Sequence, residues 1–401
     1  MTRASHHFNN VHSPGRNAHA DALILIVDDS QVYREIIAEC LSHEGFYNII
    51  FARDGDEAIE EIAKCDPDLV ILDILMPKID GLEVCRKIRE QDGRDELPIL
   101  VQTAVDLTIG HQQIFDAGAT DVIGKPLRPA ELVARTKLLL ERQVLLQDLQ
   151  LYRERTRREL RAARGMQLTL LPPSSLQREI SAKSGVEIGS HFEWSSELGG
   201  DLWALHDLGE GRFGFHTADF SGHGIAAAMN TFRLHALVNE FSHLLGNPSD
   251  LLTALNIRLT YLLPKGQFAT MIFGVIDPAR ETITFASAGA PLPLYRAGAE
   301  APLSFLDIAG VPLGINSQAT YDPQTHPFTK GAALLLYSDS LVERRDTDGD
   351  HLGEARLMEV ATRAIALDHA QQTVDMITED MHVDLETALE DDLTVVCLRS
   401  R

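Results

Sequence analysis

Aspartates stand where short apolar runs begin or end, in two sets, one in each half of a 401-residue chain. In the first half Asp28 and Asp29 follow "LILIV", Asp73 closes "DLVILD", Thr103 lies in "PILVQTA" and Lys125 follows "DVIG". In the second half Asp201 opens "DLWAL", Asp219 ends "FGFHTAD", Asp339 follows "ALLLYS", and Asp391 and Asp392 precede "LTVVCL". Carboxylates gathered at strand ends repel one another unless a hard cation joins them, and Mg²⁺ suits a few carboxylates together with water and phosphate oxygens. In the first set Asp73 would attack a phosphoryl donor, Lys125 would pair with the new phosphate oxygens and Thr103 would hydrogen-bond them. Four acids of the second set, Asp201, Asp219, Asp339 and Asp391, suit a two-metal centre, with ions roughly 3.5–4 Å apart that activate a bridging water for attack on phosphorus.

The elements that must position these groups differ between the halves. From Leu23 onward apolar runs alternate five times with amphipathic stretches, which predicts a doubly wound parallel sheet whose carboxyl-end rim carries Asp28, Asp29, Asp73, Thr103 and Lys125. Beyond Pro173 the texture becomes strand-like runs separated by glycine turns. Gly209-Glu210-Gly211 separates two such runs, and Asp201 and Asp219 lie nine positions to either side of Glu210, so an antiparallel hairpin would set them face to face. Two carboxylates so placed imply a raised pKa or a shared cation. If the strands that meet Asp339 and Asp391 also run antiparallel, those acids share an end. Around these ligands Gly200, Gly222, His223 and Asp392 are secondary candidates. His223 reads as a bystander between glycines that let the chain turn into the helix "IAAAM".

The first half resembles the receiver domain of two-component response regulators over about Ala22 to Leu140, through "VDDS", "ILDILMPKIDG", "QTA" and "GKPL" in order. The resemblance implies a flavodoxin-like fold and Asp73 as phosphoacceptor. It also implies Mg²⁺ on Asp29, Asp73 and the backbone carbonyl of Leu75, with Asp28 acting through water. Val122 departs from the pattern: many receivers carry a switch aromatic three residues before the lysine.

The second half is similar to the metal-dependent PPM serine/threonine phosphatases of the bacterial SpoIIE/RsbU branch, over about Gln167 to Arg399. The likeness runs through "MQLTLLPP", "ELGGDLWAL", "ADFSGHGIAAAM", "FATMIFGVID", "SAGAPLPLY", "GVPLGI", "LLLYSDSLVE" and "EDDLTVV". It implies an αββα sandwich with two Mn²⁺ or Mg²⁺ held by Asp201, Asp219, the carbonyl of Phe220, Asp339 and Asp391. Ala290 replaces a residue that is often polar, and Ser340 a residue that is usually glycine. The implied substrate is a phosphorylated anti-sigma-factor antagonist, and the implied upstream partner a sensor histidine kinase or phosphotransfer protein. A phosphatase-fold module that binds a sigma-factor regulator without hydrolysis is the alternative. A cyclic-dinucleotide synthase reading of "GGDLW" fails because Leu202, not an acid, follows Asp201.

Between the halves an unbroken helical stretch leads to Pro172 and Pro173. A 4-3 spacing from Leu138 through Arg142, Leu145, Leu149, Tyr152, Thr156, Glu159, Ala163, Met166 and Leu170 is apolar at seven of ten positions, which predicts a parallel coiled coil and a homodimer. The expected organisation is a flexible arm over 1–21, a receiver over 22–140, a helical linker over 141–171 and a phosphatase domain over 172–401. A net charge of −23 argues against nucleic acid and acidic membrane surfaces as partners. From Glu141 to Gly165 seven Arg against four acids leave +3, which reads as a solvated helix face. Cys40, Cys65, Cys85 and Cys397 have no metal or disulfide spacing, and with no long apolar run they predict a cytoplasmic protein.

Overall fold

The computed structural model describes residues 21–91, 94, 96–104, 110–195, 198–222, 224–344, 351–381 and 391–401. The expected flexible arm lies outside the described residues except for Asp21. The chain divides into two compact units, 1–156 and 157–401.

In the first unit five strands alternate with helices: β1 (Ile24–Val27), α1 (Gln31–Ser42), β2 (Ile49–Ala52), α2 (Gly55–Cys65), β3 (Leu69–Asp73), α3 (Gly81–Arg89), β4 (Ile99–Ala104), α4 (His111–Asp116), β5 (Asp121–Lys125) and α5 (Pro129–Leu168). The strands are parallel in the order β2-β1-β3-β4-β5. Strands β1 and β3 are buried throughout, as helices on both faces require. Ile24, Ile26, Ile71 and Leu100 pack with α1 and α5, while Leu25, Val70, Leu72 and Val101 pack with α2 and α3. Local chemistry starts the helices. The side chains of Ser30, Asp54 and Asp80 accept the amides of Tyr33, Glu57 and Glu83, caps that each contribute about 1 kcal/mol.

Helix α5 is 40 residues long and runs through the division between the units. Its inner face, Leu132, Leu139 and Leu140, completes the core of the first unit, while Leu138, Leu145, Leu149 and Tyr152 of the predicted seam are exposed. The helix ends at Leu168, four residues before Pro172. Leu170, the last predicted seam position, instead packs with Leu171 against the core of the second unit, because apolar burial there outcompetes another helical turn.

The second unit opens with α6 (Ser174–Ser184), β6 (Val186–Glu193), β7 (Asp201–Gly209), β8 (Arg212–Phe220), α7 (Ile225–Glu240), α8 (Pro248–Leu262), β9 (Ala269–Asp277) and β10 (Thr282–Ala288). It continues with β11 (Leu294–Arg296), β12 (Ser304–Phe305), β13 (Gln324–Pro327), β14 (Ala333–Tyr337), α9 (Ser340–Glu343), α10 (Gly353–Ala364), α11 (Ala370–Asp380) and β15 (Leu393–Ser400). Two antiparallel sheets, β13-β10-β9-β8-β7 and β12-β11-β14-β15-β6, face each other across a core of Trp203, Leu205, Phe213, Phe215, Leu336 and Val396. Helices α7 and α8 cover the outer face of the first sheet, and α10 and α11 that of the second, giving four layers.

Candidate active site and phosphoacceptor site

Period-two alternation decides where the second set of acids points. Trp203 and Leu205 on β7, and Phe213 and Phe215 on β8, belong to the core between the sheets, so Asp201 and Asp219 share that inner face. The hairpin register pairs Asp201 directly with Asp219. On the facing sheet Leu334, Leu336, Val396 and Leu398 point inward, and by the same parity so do Ser338 and Thr394. The Thr394 hydroxyl accordingly crosses to Asp201 and donates to its Oδ2.

These acids are strongly perturbed. Burial, then the charge of Asp219, pushes Asp201 well above the carboxylate range, opposed by the Thr394 bond. Asp219 is pushed up to about 8, first by burial and then by Asp339, Asp391 and Asp392, with a hydrogen bond to Asp201 opposing the shift. Asp339 is raised by burial and by Glu343. A cleft of about 320 Å³ is lined by Asp201, Asp219, Asp339, Thr217, Ala290 and Glu354, and among the described residues its lining holds no lysine, arginine or histidine. Carboxylates that otherwise retain protons, in a cleft with no basic side chain among its described lining residues, fit divalent cations.

Asp392 has a different neighbourhood. Its carboxylate, in a residue only 2% exposed, accepts the amide of Ser195 at 3.0 Å, the Ser195 hydroxyl at 3.2 Å and the amide of Asp201 at 3.4 Å. It braces the chain entering β7. Close approach accounts for the Gly-Gly pair before Asp201: a Cβ at Gly199 would lie 1.8 Å from the Asp392 carboxylate, and one at Gly200 would lie 2.9 Å from the Phe220 carbonyl oxygen. After Phe220 the chain turns through Gly222 (φ +88°) and Gly224 (φ +79°) into α7, left-handed conformations suited to glycine. His223 lies outside the described residues.

From the other side the same loop is held by Gln167, in the last turn of α5. Buried at 2% exposure, Gln167 donates to the Gly199 carbonyl at 2.7 Å and to Thr231 Oγ1 at 3.2 Å, and accepts the Gly199 amide at 3.3 Å. One turn earlier the Arg164 guanidinium stacks 4.3 Å from the centre of the Trp194 ring. Gln167, Ser338 and Thr394 were not singled out by type, since serine, threonine and glutamine alone signal no chemistry. Their signal was position: an inward parity for two of them, and the last turn before the Pro-Pro stop for the third.

On the receiver rim, one ligand atom each from Asp28, Asp29 and Asp73 lies within 4.8 Å of the others, a donor set that fits Mg²⁺. Lys125 Nζ stands 2.8 Å from Asp28 and 2.9 Å from Asp73, with the Tyr33 ring centre 4.6 Å away. Burial pushes Asp73 up further than Lys125 draws it down. Burial alone would lower Lys125, but its bonds to Asp28 and Asp73 outweigh that and raise it. The Leu75 amide bonds the Asp73 carboxylate, and the Leu75 side chain is exposed. Thr103 donates to the Ala104 carbonyl at 3.3 Å rather than to Asp73. Val122 is buried in the core beside Ile114 and Ala117.

Residues 24–137 match the response regulator receiver domain, and residues 209–401 match stage II sporulation protein E (SpoIIE). The chain joins a receiver domain to a SpoIIE-type phosphatase domain. Curated relatives of the receiver include the response regulator MprA of Mycobacterium ulcerans (strain Agy99), 46% identical over 125 residues, which are 31% of this chain and 53% of that protein. MprA of Mycolicibacterium vanbaalenii is 47% identical over 119 residues, 30% of this chain and 50% of that protein. The chain thus spans about half the length of the curated relatives it matches. Among solved structures, the SiaA-PP2C domain of Pseudomonas aeruginosa aligns with TM-score 0.54 at 17% identity, covering 62% of this chain and 98% of that one, which establishes a PP2C-like fold. No described helix is long and apolar enough to cross a membrane.

Proposed function

We propose that this response regulator uses phosphorylation of Asp73 to control a metal-dependent phosphoserine/phosphothreonine phosphatase in its second half. The observation that carries the enzymatic reading is the Asp201–Asp219 pair, opposed in one hairpin and raised in pKa beside Asp339 and Asp391. Asp201, Asp219, Asp339, Asp391 and the Phe220 carbonyl would hold two Mn²⁺ or Mg²⁺. When bound, the ions supply an activated water and neutralise charge on the phosphoryl oxygens. The chain's own contribution is placement: Asp392 and Gln167 hold the loop before Asp201 from two sides, and Thr394 orients the Asp201 carboxylate.

In the receiver Asp28, Asp29 and Asp73, with the Leu75 carbonyl, would hold Mg²⁺, and Lys125 would move from its two carboxylates onto the phosphoryl group. Thr103 would need a rotamer change to reach it. The coupling route is α5, one helix that bears the receiver core at one end and Gln167 at the other. The exposed stripe Leu138, Leu145, Leu149 and Tyr152 supports a parallel dimer along α5. A sensor kinase or phosphotransfer protein would supply the phosphoryl group, and a phosphorylated anti-sigma-factor antagonist is the proposed substrate.

The test is Mn²⁺-dependent release of phosphate from a chromogenic phosphate ester by the full chain, with Asp219→Ala as control. Release that is equal with and without metal, or equal in the variant, removes the enzymatic reading in favour of a binding module. Repeating the assay with a small phosphoryl donor and with Asp73→Ala tests control. Equal rates in all three conditions would reject it.

A further inference from the structure

Ser340, the residue after Asp339, closes a hydroxyl clasp behind the cleft. Asp339 is flanked by Ser338 and Ser340, both 7% exposed. Their hydroxyls lie 3.0 Å apart and converge on one acceptor, the Asp392 carbonyl: Ser338 donates at 3.1 Å and Ser340 donates in a short bond. A carbonyl oxygen has two lone pairs and accommodates both donors. Ser338 Oγ also accepts the Thr394 amide at 2.8 Å, and the Ser338 amide bonds the Thr394 carbonyl at 2.9 Å. The segment clasped in this way is the one that carries Asp391, and Asp392 in turn holds the amide of Asp201.

We infer that Ser340 is a positioning residue for the metal centre, fixing the separation of Asp339 from Asp391 before any ion arrives. The inference rests on the two-metal reading of the cleft. A glycine at this position leaves the Asp392 carbonyl with one side-chain donor and lets the two ligand-bearing segments part. Preset carboxylates bind a cation without the cost of ordering them, and outer partners of metal ligands typically change affinity by about 10–100-fold. One donor of the two is lost, so Ser340→Ala should weaken Mn²⁺ binding at one of the two phosphatase sites about 10-fold, the low end of that range.

The experiment titrates the full chain with Mn²⁺, following heat by calorimetry and free ion by its six-line EPR signal. Ser340→Ala, Ser340→Gly and Ser340→Thr are compared with the wild type, and metal-free melting curves are taken in parallel. The receiver ion is common to all and drops out of the comparison. Weakened binding in the alanine and glycine chains, with wild-type affinity in the threonine chain, is the expected result. Mn²⁺ affinity within twofold of wild type in both the alanine and glycine chains overturns the inference, and so does a fall in metal-free melting temperature with affinity unchanged. The parent reading fails separately, if wild type and Asp219→Ala bind the same number of ions with the same affinity.

Discussion

At the scale of single residues the phosphatase cleft is a place where function opposes stability. Asp219 is raised to about 8 and Asp201 is raised as well, so both bind protons more tightly in the folded than in the unfolded chain. A raised carboxylate destabilises the metal-free fold at neutral pH, and the penalty shrinks as pH falls through the folded value. Asp219→Asn should therefore raise the metal-free melting temperature of the second unit at pH 7, by an amount equivalent to about 1–4 kcal/mol, while abolishing stabilisation of that unit by Mn²⁺. Differential scanning calorimetry with and without metal checks both halves; a metal-free chain less stable than wild type would refute the first. A second titration has the opposite sign. The half-buried His206 and the buried His216 stand 3.1 Å apart, ring nitrogen to ring nitrogen. Burial lowers His206 to about 4 and holds His216 well below its ordinary value. Stability from keeping these rings neutral is present above the unfolded histidine value and is lost as pH falls from there toward the folded one, by about 2 kcal/mol for His206 at pH 5. The melting temperature of His206→Phe relative to wild type should accordingly rise between pH 7 and pH 5. A difference that stays flat across that range would contradict the argument.

At the scale of elements, the proposed coupling runs through α5 and the β7–β8 hairpin. Gln167 meets the loop two residues before Asp201, so Gln167→Ala should lower Mn²⁺-dependent phosphatase rate roughly 10-fold, in line with outer-partner losses. Circular dichroism would verify the fold. Unchanged activity would dissociate the helix end from the site. The proposed dimer predicts that replacing Leu145 and Leu149, both exposed, by glutamate lowers the sedimentation coefficient to that of a monomer while leaving the receiver core intact, and a wild-type chain that already sediments as a monomer would refute it. The hairpin was readable because a Gly-Glu-Gly turn has a centre, and the centre dictates which residues oppose; the parallel sheet was readable because its strands are continuous apolar runs. The end of α5 was not. Pro172 marks where a helix must stop, but the actual stop at Leu168 depends on Leu170 and Leu171 finding apolar partners in the second core, which no local pattern encodes. Asp392 was readable as an acid beside a ligand, whereas its bonds to Ser195 and Asp201 join positions nearly two hundred residues apart.

At the scale of the whole molecule, two compact units with separate cores share one helix. Calorimetry should resolve two unfolding transitions: Mn²⁺ should raise that of the second unit in the wild type but not in Asp219→Ala, and at fixed metal a phosphoryl analogue such as beryllofluoride should raise that of the first unit but not in Asp73→Asn. A single transition moved equally by both variants would mean that the units do not melt independently. The parity that sends Asp201, Asp219, Ser338 and Thr394 to the inner face also limits how the chain can change in length. One residue gained or lost inside β7 or β15 would turn a ligand or its support toward the covering helices, so lengths there can drift only in steps of two. In α5 each added residue rotates the downstream chain by about 100°, so insertions come close to restoring phase only at particular lengths, such as about seven, eleven or eighteen residues. Divergence in chain length is thereby confined to the loops, and the helical phase carried along α5 is inherited as a count of residues.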